Sequence, residues 1–153
     1  MIYIKKFENN HYDNNDLINA VLNSDIDLVR ELIEDDNIDI NFKDSSNSSA
    51  LYYATSINEF EMVILFVNSG ADINMKNSQG DTALIMSILY DIVEICKFLL
   101  MNGADWRIKN NDNEDFLDYL KPNQDDVIYF IKKHYPECYN EYLLRMEIKK
   151  YNL

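Results

Sequence analysis

Apolar and polar blocks alternate along the chain with a spacing that returns about every 33 residues. The three densest apolar runs are IDLVRELIED (26–35), EFEMVILFVNS (59–69) and DIVEICKFLLMN (91–102). Each is apolar over more than half of a helical surface, the pattern of a helix sandwiched between two neighbours rather than laid on one. A shorter helical pattern precedes each run. Leu51, Ala54 and Thr55 share one face, as do Leu84, Ser87 and Ile88. Ala20, Ala54 and Ser87 stand at the equivalent place in three copies, and side chains that small let helices approach closely. The pattern predicts paired short helices.

The connections repeat as strictly as the helices. Asp39-Ile40-Asn41, Asp72-Ile73-Asn74 and Asp105-Trp106-Arg107 lie 33 residues apart, followed by Lys43, Lys76 and Lys109 and then by Leu51, Leu84 and Leu117. An upstream copy aligns if one residue is inserted, matching Ala20 to Ala54 and Val29 to Val63. A series of this kind is an internal repeat, each unit too small to bury its apolar surface alone. Asn47, Gly80 and Asn113 occupy one turn position, where a left-handed backbone suits glycine and asparagine. Ser49, Thr82 and Asp115 stand where an oxygen can accept the first free amides of a helix. Gly70 and Gly103 close the second helices; in the first copy Asn37 and Ile38 replace that Gly-Ala pair.

These residues resemble the ankyrin repeat, in which a D-x-x-G-x-T-P-L-x-x-A segment is followed by a second helix and a G-A-D-x-N turn. NSQGDTAL (77–84) matches with Ala83 for the usual proline, and Ser87 stands for the usual alanine. DSSNSSAL (44–51) matches with Asn47 and Ser49 for glycine and threonine. NNDNEDFL (110–117) departs furthest, with Asp115 and Phe116 for threonine and proline. The resemblance spans roughly residues 14 to 134. It implies an all-α solenoid with hairpin-like loops: a short arm (1–12), four repeats (13–43, 44–76, 77–109, 110–134) and a C-terminal capping helix (135–153). Pro122 ends the first helix of the fourth unit. Pro136 opens the last helix, where Tyr139, Tyr142, Leu143, Met146 and Lys150 are expected on one face, sealing the end of the stack.

Charge adds a constraint. The chain has 27 acids against 14 Lys and Arg, a net charge of −13. Before residue 121 there are 22 acids and 8 bases; from there on, 5 and 6. A field of that sign disfavours nucleic acid and anionic membrane and favours a protein partner that is basic at the contact. The opening MIYIKKFENN turns polar before any long apolar run, which argues against a signal peptide, and no stretch is long enough to span a membrane. Two separated cysteines, Cys96 and Cys138, suit a reducing, cytoplasmic setting.

Catalytic chemistry finds no pattern. His11 and His134 lie at opposite ends, and no phosphate loop or spaced Cys/His set is present. Cys96 reads as a packed thiol, Cys138 as structural and partly exposed. The acids Glu34, Asp35, Asp36 and Asp39 lack the alternation and central glycine of a calcium loop. No cofactor, metal or catalytic residue is expected. What the resemblance implies instead is a ligand-facing palm made of loop tips and the free side of each first helix. Carried over position by position, it comprises Ser45, Ser46, Ser48, Ser56 and Ile57, then Ser78, Gln79, Asp81, Leu89 and Tyr90, then Asn111, Asp112 and Glu114, with Leu22 and Asn23 as helix-end equivalents. Ile57, Leu89 and Tyr90 stand out because stability alone does not call for large apolar groups there. The function expected is protein binding, as an inhibitor, immunity protein or adaptor, by a chain that is a monomer when free. A self-associating module and an enzyme with an unrecognised site are the alternatives. Arg107, where earlier copies have asparagine, is a further contact candidate.

Overall fold

A computed structural model describes residues 12–151; the arm expected over residues 1–12 lies outside them apart from Tyr12. The described residues are all-α: α1 (Asn14–Leu22), α2 (Ile26–Ile33), α3 (Ala50–Ser56), α4 (Phe60–Asn68), α5 (Ala83–Leu89), α6 (Val93–Met101), α7 (Phe116–Tyr119), α8 (Asp125–His134) and α9 (Pro136–Tyr151). α1 packs on α2, α3 on α4 and α5 on α6, and the pairs stack. α1, α3, α5 and α7 pack side by side in an inner row, and α2, α4, α6 and α8 in an outer row, with α9 laid on α8. The core runs as one strip between the rows, from Leu17 and Val29 through Leu51, Phe66, Leu84 and Leu99 to Phe116 and Val127.

The helices begin and end where their local chemistry dictates. Ser49 accepts from the Tyr52 amide and Thr82 from the Ile85 amide, both at 3.3 Å, and Asp115 accepts from the Leu117 amide at 2.9 Å. Asp13 caps α1, and both aspartate caps form reciprocal boxes, with Asp16 and Asp118 returning the bond. Asn47, Gly80 and Asn113 all have positive φ, at 58°, 82° and 65°. Ser24, Asn58 and Asp91 adopt the same left-handed turn between the two helices of a pair.

Two ladders join the repeats. In the Asp-x-Asn turns, the Asn side chain reaches the next unit: Asn41 Oδ1 accepts from the Asp72 amide and Asn74 Oδ1 from the Asp105 amide, both at 2.8 Å. Within the first unit, Asn14 Oδ1 at the start of α1 accepts from the Asp39 amide at 2.7 Å. At the loop tips, the Ser78 amide donates to Ser46 O at 3.1 Å and the Asn111 amide to Gln79 O at 2.9 Å. Each turn within a tip is built by one side chain: Asp44, Asn77 and Asn110 each accept from the amides two and four residues on, at 2.9–3.0 Å.

Helix α9 takes the place of a further repeat. Arg107, standing where Asn41 and Asn74 reach forward, stacks on Trp106 and donates to Glu137 Oε2 at 2.8 Å. Asp115, standing where the other copies have Ser49 and Thr82, is bound by Arg145. The inward face of α9 is therefore Cys138, Tyr142 and Arg145, with Tyr139 and Met146 at its margin. This corrects the face expected from the apolar pattern. Leu143 and Lys150 are exposed, because the helix is turned to bring Arg145 to Asp115.

The tip contacts set one test. Gly70, Gly80 and Gly103 all have positive φ, yet an added Cβ at Gly70 or Gly103 meets nothing within 4 Å, whereas at Gly80 it lies 2.7 Å from the Asn111 backbone nitrogen. In urea denaturation Gly70→Ala and Gly103→Ala should each cost about 1–2 kcal/mol from backbone strain. Gly80→Ala should cost clearly more, since it also breaks the tip ladder.

Candidate functional site

The inner row and the loop tips together form one face. The tips of three units stand side by side because their backbones bond to one another, and Asn111 Nδ2 adds a bond to Ser78 O at 2.9 Å. At the other end of the inner helices, about 10 Å away for seven residues of helix, sit Leu22, Ile57, Leu89 and Tyr90. Ile57 and Tyr90 are the last residues before the left-handed turns at Asn58 and Asp91, and this geometry pushes them outward. Ile57, Leu89 and Tyr90 are 38%, 40% and 62% exposed.

The tip positions divide by exposure. Ser45, Ser46, Ser78, Gln79, Asn111 and Asp112 are exposed, and Ser56, Asp81 and Glu114 are half-buried. Ser48 is buried, at 3% exposure, and so is removed from the expected contact set. Its amide is tied to Asp44 Oδ1 at 3.0 Å, which folds the residue under the tip.

Sequence reasoning passed over the tyrosines that line the floor of this face. The Tyr53 hydroxyl donates to Asp44 Oδ2 at 2.7 Å, and the Tyr119 hydroxyl to Glu114 Oε2 at 2.6 Å. Both tyrosines stand nine residues after the residue that builds their tip, Asp44 and Asn110, and that spacing was a usable signal. Asn110 Nδ2 ties the units together, donating to the Tyr119 hydroxyl and to Asp81 Oδ1, both at 2.9 Å. The bond to Glu114 and partial burial push the Tyr119 phenol up to about 12. Burial and the charge of Asp81 raise Tyr52 to about 12 as well.

The charge on this face is mainly negative, with Lys43, Lys76 and Lys109 flanking the tips. The tips (44–49, 77–82, 110–115) and the four inner helices contain no Lys or Arg, while they hold Asp16, Asp44, Asp81, Asp112, Glu114, Asp115 and Asp118. Two of these acids, Asp115 and Asp118, are paired with Arg145 of α9, while Arg30–Glu61, Lys97–Glu94 and Arg107–Glu137 lie away from the face.

A family model described as ankyrin repeats, three copies, matches residues 17–112. The chain belongs to the ankyrin repeat family. The match ends within the fourth tip, before Asp115 and Phe116, so the fourth helix pair and α9 are attributed from the structure. Ankyrin repeats generally mediate protein–protein interaction. No curated protein matches the chain.

Other chemistry is accounted for by packing. Cys96 and Cys138 are buried, and burial pushes both thiols up to about 12, far from a reactive thiolate. Cys138 had been expected partly exposed; the inward turn of α9 covers it. A cleft of about 370 Å³ lined by Leu100, Trp106, Arg107, Tyr135 and Glu137 is the seam along which α9 docks, closed by the Tyr135 hydroxyl donating to Leu100 O at 2.6 Å. Among the described residues no group of His, Cys, Asp and Glu has a metal-binding arrangement, and no helix is long and apolar enough to cross a membrane.

Removing the bond between Tyr119 and Glu114 should be visible directly. Spectrophotometric titration of Glu114→Gln should show one phenol returning toward the ordinary tyrosine range from about 12. An unchanged titration would mean the bond does not form in solution.

Proposed function

We propose that this ankyrin repeat chain binds another protein through its palm, and that the segment it receives is basic. The observation that carries this reading is the combination of an exposed apolar ridge, Ile57, Leu89 and Tyr90, with the accessible acids Asp44, Asp81, Asp112 and Glu114 at the tips, none of them in an ion pair among the described residues. Apolar anchors at the centre of a contact supply most of its affinity, and charges around them supply orientation and speed of encounter. The face is held by hydrogen bonds before any partner arrives, so little ordering entropy opposes binding. Occupancy is then the whole mechanism, suited to an inhibitor, an immunity protein or an adaptor. Two buried free thiols fit a reducing cytoplasm.

Palm residues in contact with the partner are Ser46, Ser56, Ile57, Ser78, Gln79, Asp81, Leu89, Tyr90, Asn111, Asp112 and Glu114. A second reading, association between copies, draws on one feature: Leu144, Ile148 and Tyr151 follow one another at helical spacing along the outer side of α9 and are about half or more exposed. Sedimentation at low micromolar concentration separates the two readings, since a monomer leaves the palm free for a different protein.

The direct test is selection of ligands from a peptide library on the immobilised chain. Enriched peptides should be rich in Lys or Arg, and Leu89→Ser with Tyr90→Ser should abolish their retention while the melting curve stays close to the parent. Undiminished retention would remove the ridge from the contact. Leu84→Ala is the control, expected to lower stability by about 2–5 kcal/mol as a core truncation. Changing Asp81, Asp112 and Glu114 together to amides should slow association and flatten its dependence on salt.

A further inference from the structure

We infer that Arg145, which lies on α9 outside the palm, is a positioning residue for the palm: it builds the fourth-repeat wall that carries Glu114 and Tyr119. The inference begins with the length of α7. It has four residues, against seven in each of α3 and α5, and a single helical turn does not persist on its own. Something outside it must hold it.

The cap position shows what does. In α3 and α5 the cap is a hydroxyl, Ser49 or Thr82, which is neutral and can be buried with its one hydrogen bond. In α7 the cap is Asp115, 2% exposed. A carboxylate buried to that degree requires a cation beside it. Arg145 supplies it through two parallel bonds, Nη1 to Oδ1 at 2.8 Å and Nη2 to Oδ2 at 2.7 Å. The same guanidinium reaches Asp118 Oδ2 at 3.1 Å, the oxygen that also accepts from the Asp115 amide at 3.0 Å. Its Nε is anchored on Glu141 within α9 at 3.0 Å. Cap, capping box and counter-charge of α7 all meet at this one side chain.

From α7 the connection to the palm is continuous. Tyr119, the last residue of α7, bonds to Glu114 and receives Asn110 Nδ2, which also holds Asp81. With Arg145 withdrawn, Asp115 is left as a buried unpaired charge, α7 loses its first turn, and Tyr119 and Glu114 lose their fixed positions. The third-repeat side, built on Thr82 and α5, has its own cap and stands without α9. Docking of α9 therefore decides whether the palm has a fourth wall. The consequence for binding rests on the palm reading above; the structural coupling does not.

The test uses the full chain and needs no partner. In Arg145→Met, the amides of residues 115–119 should exchange at least about tenfold faster, the Tyr119 phenol should titrate earlier, and the amides of α3 and α5 should keep their protection. The double variant Asp115→Thr with Arg145→Met restores a neutral cap of the kind at Thr82 and should recover both readouts. Protection of α7 left intact in Arg145→Met would overturn the inference, as would loss spreading equally through α3 and α5. If the double variant failed to recover α7, Arg145 would be acting by holding α9 as a whole, and the inference would fail on that ground too. Should Arg145→Met not fold, the double variant alone decides: a protected α7 supports the account and an unprotected one contradicts it. Peptide retention on the immobilised palm adds the functional readout. A palm that retains no basic peptide in the parent chain would defeat the binding reading and leave the exchange results standing.

Discussion

Each later unit of this chain carries amides that the unit before it satisfies, and the remainder of the structure follows from that dependence. Asn41 and Asn74 reach forward to the amides of Asp72 and Asp105. The tips repeat the arrangement in backbone bonds from Ser78 to Ser46 and from Asn111 to Gln79. Neither ladder contributes much energy per rung, about 1 kcal/mol for a net hydrogen bond. Their effect is register: with these rungs made, the apolar strip between the rows is continuous and every inner helix presents its free side in the same direction. The palm is a by-product of that alignment.

A ladder of this kind has an end, and the chemistry changes there. The last Asp-x-Asn turn carries Arg107, whose side chain spans 30 residues to Glu137, against the 31 that Asn41 and Asn74 span in the interior. The last cap is Asp115, which needs the counter-charge that Arg145 brings from α9. Viewed against the repeat, both residues are departures; viewed against the terminal helix, both are complements to it. Stacked repeats need a terminal unit whose outer side tolerates water. Here the terminal unit is bound by ion pairs at two points and by the buried side chains of Cys138 and Tyr142.

Much of this was legible in the sequence. The spacing of 33, the caps at Ser49, Thr82 and Asp115, the left-handed turns at Asn47, Gly80 and Asn113, and the stop at Pro122 are local chemistry and appear in the structure as local chemistry. What was not legible depends on partners about thirty residues away, on rotation about a helix axis, or on side-chain bonds that shape a tip. The apolar pattern placed Leu143 on the inner face of α9, because nothing in it marks Arg145 as the residue that turns inward. Cys138 read as partly exposed for the same reason. Ser48 read as a tip residue because its burial comes from its amide bonding to Asp44, a property of the turn rather than of serine. The tyrosines of the palm floor were passed over because tyrosine fits a helix without explanation, and only their common distance from the tip residue distinguishes them.

The proposed partner lies across the loop tips and the inner helices, along an apolar ridge bordered by the carboxylates of the tips. Family membership places this chain among repeats that generally bind proteins, and the proposal of a basic partner rests on the acids at the tips. The measurement that tests this most directly is the hydrogen-exchange footprint of the chain with a bound protein partner. The account predicts slowed exchange across the tips and inner helices, residues 44–57, 77–90 and 110–119, with α4 and α6 unchanged. A footprint on the outer helices, or on the outer side of α9, with the palm unaffected, would contradict it.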